Sequence, residues 1–245
     1  MLFFGKKKKT PTIDLSWLGT DMHSHLIPGI DDGVPDMATS LQMIRGLQDL
    51  GYRKLITTPH VLWDVYPNTT EQILEGIALV KSAVAAEGIA IEITAAAEYF
   101  IDEHFEESLK NKMPLLPLSG NKVLVEFSMI TAPMDLQQIL FEMQLQDYQP
   151  VIAHPERYIY LTNRKTFFDD LKSAGCLFQL NLLSLTGYYG RSVQELAEYL
   201  CKKEYYSLAG TDLHSDRHLL ALQKLSASAL LSKLKESGLL KNERL

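Results

Sequence analysis

The stretch LGTDMHSH (residues 18–25) decides the fold, because a short apolar run ends there in two histidines spaced i and i+2. In an extended segment those two positions point to the same side, so His23 and His25 can reach one ion. Five later segments end in the same way: KLITTPH (54–60), IEITAAAE (91–98), NKVLVE (121–126), PVIAH (150–154) and YSLAGTDLH (206–214). Each reads as a buried strand that delivers a histidine or a carboxylate at its C-terminal end. A barrel of parallel strands gathers distant parts of the chain onto one face in this manner. The donors are nitrogen and oxygen with no thiolate, which points to a hydrolytic polynuclear metal site.

Outward from these runs, strands are expected at about 20–24, 53–58, 90–97, 122–127, 150–153, 176–181 and 206–210. Helical patterns fit about 36–50, 70–87, 135–147, 163–174, 192–203 and 217–235. Strand–helix alternation at this spacing predicts a parallel sheet with crossover helices, and seven strands favour a closed barrel over an open sheet. No strand is followed by a Gly-rich phosphate loop or a dinucleotide fingerprint. Residues 13–245 read as one α/β domain. Residues 1–12 read as a flexible basic tail, since Lys6 to Lys9 repel one another and Pro11 blocks helix entry. Weak contact of that tail with an anionic membrane or an acidic partner is its functional alternative.

With 245 residues the chain is long enough for one barrel domain. A net charge of −6 argues against broad nucleic-acid binding. It leaves an anionic substrate open, because bound divalent cations reverse the local sign. Two cysteines, Cys176 and Cys201, are too few for a disulfide framework or a thiolate metal site, and both read as reduced core residues. No stretch is long and apolar enough to span a membrane. The start, MLFFGKKKKT, has its apolar residues ahead of its lysines, the wrong order for a signal peptide. A cytoplasmic location is expected; oligomeric state leaves no mark.

Taken singly, the candidates differ in weight. The turn PGIDDG (28–33) sets Asp31 and Asp32 beside the histidine pair, where adjacent acids serve either as turn formers or as ligands. Pro59 stiffens the exit that holds His60. Glu98 and Glu126 each end an apolar strand, where an unpaired carboxylate is expensive to bury without a cation. His154 is followed by Arg157, which either pairs with Glu156 or clamps phosphate oxygens. Asp212 and His214 repeat the i, i+2 spacing, with Arg217 close behind. His104 reads as an exposed helix residue and His218 as facing solvent.

At these residues the chain resembles the PHP (polymerase and histidinol phosphatase) superfamily. Within it, the closer likeness is to the capsule-biosynthesis tyrosine phosphatases of the CpsB/CapC type. The pieces that carry the likeness are DMHSHLIPGIDDG, TTPH, AAEY, LVEFSM, VIAHPERY and AGTDLH, spread from residue 21 to 214. The resemblance implies a distorted (β/α)7 barrel with three divalent metal ions at the strand C-termini. Manganese is the first expectation, with iron, zinc, magnesium or cobalt as alternatives. It also implies a grouping: His23, His25, Glu98 and Asp212 hold the first ion; Glu98 bridges to the second, completed by Glu126 and His154; Asp32, His60 and His214 hold the third. Asp31 then orients a ligand histidine.

In that reading a metal-bridging hydroxide attacks phosphorus, while Arg157 and Arg217 bind the phosphate and stabilise the transition state. The implied substrate is a phosphotyrosine protein, the tail of a membrane-associated bacterial tyrosine autokinase that controls capsular or exopolysaccharide synthesis. A tyrosine leaving group has a pKa of about 10 and needs little protonation, so no general acid is assigned. Cysteine-dependent phosphatases place an arginine six residues after the nucleophile. Here Leu182 and Ser207 stand at that distance from the two cysteines, so that chemistry is excluded. Two alternatives remain: a phosphatase of a small phosphomonoester such as histidinol phosphate, and a non-catalytic metal-binding interaction domain.

Overall fold

In a computed structural model that describes residues 13–225 and 229–245, every one of the apolar runs becomes a parallel strand. The strands are β1 (Thr20–Asp21), β2 (Lys54–Thr57), β3 (His60–Val61), β4 (Glu92–Ala95), β5 (Glu98–Phe100), β6 (Lys122–Glu126), β7 (Gln149–Ile152), β8 (Leu177–Asn181) and β9 (Tyr206–Gly210). They occupy seven positions, as expected, because the second and third are each broken into two pieces. Thr58-Pro59 separates β2 from β3, where proline has no N–H for the ladder, and Ala96-Ala97 separates β4 from β5. Pairing runs β1-β2-β4 and β3-β5-β6-β7-β8-β9, all parallel. The seam between first and last strands closes beyond their regular ladders. Asp212 N–H donates to His23 O at 2.8 Å and His25 N–H to Leu213 O at 2.9 Å. The fold is a distorted seven-stranded β/α barrel.

The helices are α1 (Met37–Asp49), α2 (Thr70–Ala86), α3 (Glu103–Lys110), α4 (Leu136–Leu145), α5 (Thr166–Ser173), α6 (Arg191–Lys202), α7 (Asp216–Gln223) and α8 (Ala229–Ser237). Asp36 caps α1 through the Thr39 N–H, and Thr69 with Gln72 forms a capping box on α2, each worth about 1 kcal/mol. Two expectations need correction. Helix α3 was absent from the expected helical patterns, although His104 on it was read as a helix residue; it buries Phe105, Ser108 and Leu109. The run expected as one helix over 217–235 is two, α7 and α8; α7 ends at Gln223, and Lys224 and Leu225 lie outside it. The tail expected over residues 1–12 lies outside the described residues.

Two apolar clusters position the site. The larger fills the layer between strands and helices. The smaller, Met22, Ile56, Ala96, Leu118, Leu124, Val151, Ala153 and Leu208, plugs the barrel interior. On β6, Leu124 joins that plug and Glu126, two residues on, projects to the same side. Ala96 and Glu98 repeat the arrangement. The ligand-type side chains therefore form a polar layer above an apolar floor.

Candidate metal centre

Nine residues expected as ligands converge at the C-terminal ends of the strands: His23, His25, Asp32, His60, Glu98, Glu126, His154, Asp212 and His214. They fall into four overlapping clusters, each with donor atoms within 4.8 Å of one another: His25, Asp32, His60, His214; His23, His154, Asp212; His23, His25, Glu98; and His60, Glu98, Glu126. Glu98 joins two of them, with Oε2 3.1 Å from His23 Nε2 and 3.2 Å from His60 Nδ1, and Oε1 3.1 Å from His154 Nε2. Asp32 meets His60 Nε2 at 3.4 Å and His214 Nε2 at 3.5 Å. His23, His25 and Glu98 are fully buried, and Asp212 nearly so.

The electrostatics are those of a layer that needs cations. Burial lowers the basicity of an imidazole, yet Glu98 and Asp212 overcome it at His23 and push its pKa up to about 9. At His60 the carboxylates of Glu98, Asp32 and Glu126 win over burial and push it up to about 12. Conversely, burial raises Glu98, but His23 and His60 hold it well below the usual carboxylate range. Asp32 is lowered by the His214 and His60 imidazoles beside it.

The donor set fits divalent metal. His23 Nδ1 lies 3.1 Å from Gln179 Oε1, His25 Nδ1 2.7 Å from Asp31 Oδ2, and His214 Nδ1 2.9 Å from the Asp212 carbonyl. With those nitrogens protonated, the Nε2 lone pairs are free for an ion. His60 Nδ1 sits 3.1 Å from Glu126 Oε1, but neither this contact nor the one to Glu98 has hydrogen-bond geometry. Converging acceptors without aligned protons are what a shared cation requires.

The local backbone is shaped for this layer. His154 (φ 32°) and Asp212 (φ 51°) are left-handed, a strained state for such residues that clusters at functional sites. Gln179 Oε1 also accepts the His154 N–H at 3.0 Å, which anchors that turn. A Cβ at Gly210 would lie 2.5 Å from His23 Cβ, and one at Gly33 2.4 Å from His25 Cβ. Both glycines leave the room that the histidine pair occupies.

A cavity of about 560 Å³ opens onto the layer. Arg157 lines it, with Nη1 donating to Asp212 Oδ2 at 3.0 Å and its guanidinium 4.9 Å over the Tyr189 ring. The alternative pairing with Glu156 does not form. Glu156 is buried under Tyr206 OH and the Asn181 N–H. Arg217 is exposed on α7 and does not line the cavity. His218, expected to face solvent, is half-buried and lines it, Nδ1 lying 3.3 Å from the His214 N–H. His104 lies on α3, half-buried and stacked on Trp63 at 3.7 Å. Burial pushes the thiols up, Cys176 to about 11 and Cys201 to about 12, so neither supplies a nucleophile.

Sequence reading missed the supporting shell. Gln179, and Asn181 whose Nδ2 donates to Asp212 Oδ2 at 2.8 Å, both come from β8. The i, i+2 polar pair in FQLN (178–181) was the available signal. Tyr66 and Tyr189 left none.

A family profile described as capsular polysaccharide synthesis, CpsB/CapC, matches residues 19–237. The chain belongs to the CpsB/CapC family. Tyrosine-protein phosphatase YwqE of Bacillus subtilis (strain 168) is 30% identical to it over 196 residues, covering 80% of this chain and 77% of that one. Tyrosine-protein phosphatase CpsB of Streptococcus agalactiae serotype V is 26% identical over 202 residues, covering 80% and 82%. The chain is also similar to a crystal structure from work on YwqE of Bacillus subtilis and CpsB of Streptococcus pneumoniae, described as metal-dependent tyrosine phosphatases. There the TM-score is 0.77 at 27% identity, over 89% of this chain and 92% of that one. An amidohydrolase from Mycoplasma synoviae shares the fold at 14% identity and TM-score 0.54. Among the described residues no helix is long and apolar enough to cross a membrane.

Proposed function

We propose that this member of the CpsB/CapC family is a metal-dependent protein-tyrosine phosphatase. The observation that carries the reading is the coincidence of a nine-residue nitrogen–oxygen donor layer with a guanidinium on the wall of one open cavity. Three divalent ions, manganese foremost, would be held by His23, His25, Glu98 and Asp212; by Glu98, Glu126 and His154; and by Asp32, His60 and His214. Bound there, they supply Lewis-acid activation of water and offset charge on phosphoryl oxygens.

The chain's own residues do the rest. Arg157 binds non-bridging phosphate oxygens; Asp212 and Tyr189 keep its fork turned to the cavity. Gln179 and Asp31 hold the tautomers of His23 and His25. Arg217, exposed one residue before His218, adds positive potential at the mouth and meets phosphate only on a substrate that reaches out to α7. A cavity open to a protein-borne ester favours phosphotyrosine over a small metabolite. The family's link to capsular polysaccharide synthesis supports a tyrosine autokinase tail as substrate and the cytoplasm as the location.

The test is turnover by the manganese-loaded full chain of a phosphotyrosine peptide, a phosphoserine peptide and histidinol phosphate. Preference for the phosphotyrosine peptide is expected. Equal or better turnover of histidinol phosphate would replace the reading with a small-molecule phosphatase. Metal-dependent thermal stabilisation without turnover of any ester would leave a metal-binding interaction domain.

A further inference from the structure

The two walls of the cavity differ in chemistry. The wall from β7, β8, β9 and their following loops presents Arg157, Tyr189, Ser215 and His218. The opposite wall presents Leu62, Tyr66, Phe100 and Met129, from the end of β5 and the segments that follow β3 and β6. We infer that this apolar wall is the subsite for the aromatic ring of the leaving group, and so the element that selects aryl over alkyl phosphate. The inference rests on the phosphotyrosine reading above and names the residues that would enforce it.

A phosphate seated on the charged floor with Arg157 at its side must send its ester substituent along one wall. Against the polar wall, a ring would strip water from the Ser215 hydroxyl and would meet a guanidinium that already stacks on Tyr189 and is engaged by Asp212. The face of Tyr189 is already covered by Arg157. Against the other wall, the ring meets four half-buried apolar side chains and removes more apolar surface from water. Tyr66 lies nearly parallel to His60, at 16° and 5.7 Å between centroids, which sets the aromatic surface directly beside the donor layer.

This wall is built to hold its shape. Leu62 and Tyr66 close a tight turn by mutual backbone hydrogen bonds of 3.2 and 2.7 Å. Asn68 pins that turn by donating to the His60 carbonyl at 2.8 Å and to the Ile30 carbonyl at 2.9 Å. Within the turn, Trp63 stays 43% exposed, flat on His104, with its backbone N–H donating to Asp102 Oδ2 at 3.2 Å. The carbonyl of Ser128, just ahead of Met129, accepts from Tyr160 OH at 3.1 Å. A preformed apolar surface takes a rigid ring without an ordering penalty of its own.

The experiment compares the parent with Phe100→Ala, Met129→Ala and the milder Phe100→Leu, all as manganese-loaded full chains. The readout is the ratio of kcat/KM for a phosphotyrosine peptide to that for glycerol 2-phosphate. Each alanine variant should reduce the ratio about tenfold, Phe100→Leu by less, while inhibition by inorganic phosphate shifts less than twofold. If peptide and glycerol phosphate turnover fall together, the wall merely shields the donor layer and the inference is overturned; an unchanged ratio overturns it too. Binding separates this from failure of the underlying reading. Phenylphosphonate should bind the parent about tenfold tighter than methylphosphonate, and the alanine variants should lose that margin. Were the parent to hydrolyse no ester yet keep that margin, the phosphatase reading would fall and the ring subsite would stand. Equal affinity of the parent for the two phosphonates would dismiss the subsite.

Discussion

Two regions of this barrel bury carboxylates, and they do so by opposite means. In the donor layer, Glu98 and Asp212 face imidazoles and a guanidinium, and both are held well below the usual carboxylate range. Beside it, Asp21 and Glu156 accept hydrogen bonds from neutral donors only, and at Asp21 the nearby His23 offsets burial only in part. Asp21 accepts from the Thr211 hydroxyl at 2.7 Å and its N–H at 2.9 Å, yet burial pushes it up to about 7. Glu156 accepts from Tyr206 OH at 2.8 Å and the Asn181 N–H at 2.9 Å, and burial raises it too. Burial alone therefore does not mark a functional acid; the partner does. Acids with neutral donors brace the barrel, and acids among imidazoles form groups that could hold a metal ion.

The largest test of that contrast swaps one oxygen on each side. Glu98→Gln should abolish metal retention and lower turnover by about a thousandfold, whereas Glu156→Gln should leave metal content and kcat within about threefold. Equal damage from both, with both proteins folded, would erase the distinction. Next in size, Gln179→Ala releases the His23 ring and the His154 turn together. Metal affinity or activity should fall about 10–100-fold, checked by metal titration; wild-type affinity would remove Gln179 from the site.

A third test uses pH. With no cation bound, Asp21, His23 and His60 all have folded pKa values above their unfolded ones. Their stabilisation is complete below the unfolded values and is lost as pH rises through the folded ones. Glu98, Asp32 and Asp212 are depressed, so their contribution is present above about pH 4 and lost on acidification. The chelated protein should be most stable near pH 5 and lose about 5–10 °C of melting temperature by pH 9. Manganese should remove the imidazole part of that decline, since a metallated histidine is held as neutral imidazole and no longer titrates in this range. A chelated protein as stable at pH 9 as at pH 5 would contradict the imidazole–carboxylate coupling. The smallest effect belongs to the bracing side. Tyr206→Phe should cost about 1–2 kcal/mol in denaturant unfolding with unchanged kcat; a loss of activity would tie Glu156 to the site.

Most of the donor layer was legible because its members stand at the end of an apolar run, which is a local pattern; Asp32 lies in the PGIDDG turn, and only the family resemblance set it above Asp31 as a ligand. For Asp31 the resemblance implied that it orients a ligand histidine, and the structure shows that histidine to be His25, at 2.7 Å. Helix α3 was not among the expected helical patterns, although the equally short α5 was. His218 was misplaced because one residue of helical rotation decides whether it faces solvent or the cavity, and Arg217 beside it takes the outward direction. Leu62, Tyr66, Phe100 and Met129 read as ordinary apolar residues, and only their common wall distinguishes them.

By itself, then, the sequence determined the barrel, the order of its strands and the chemical identity of the nine converging side chains. Period-2 alternation and apolar runs are properties of neighbouring residues. The tertiary structure decided which donors share a cluster, which arginine reaches the cavity, and which neutral amide orients each histidine. Gln179 meets His23 across 156 positions of chain, and such a contact exists only once the barrel has closed and brought β8 beside the histidine pair.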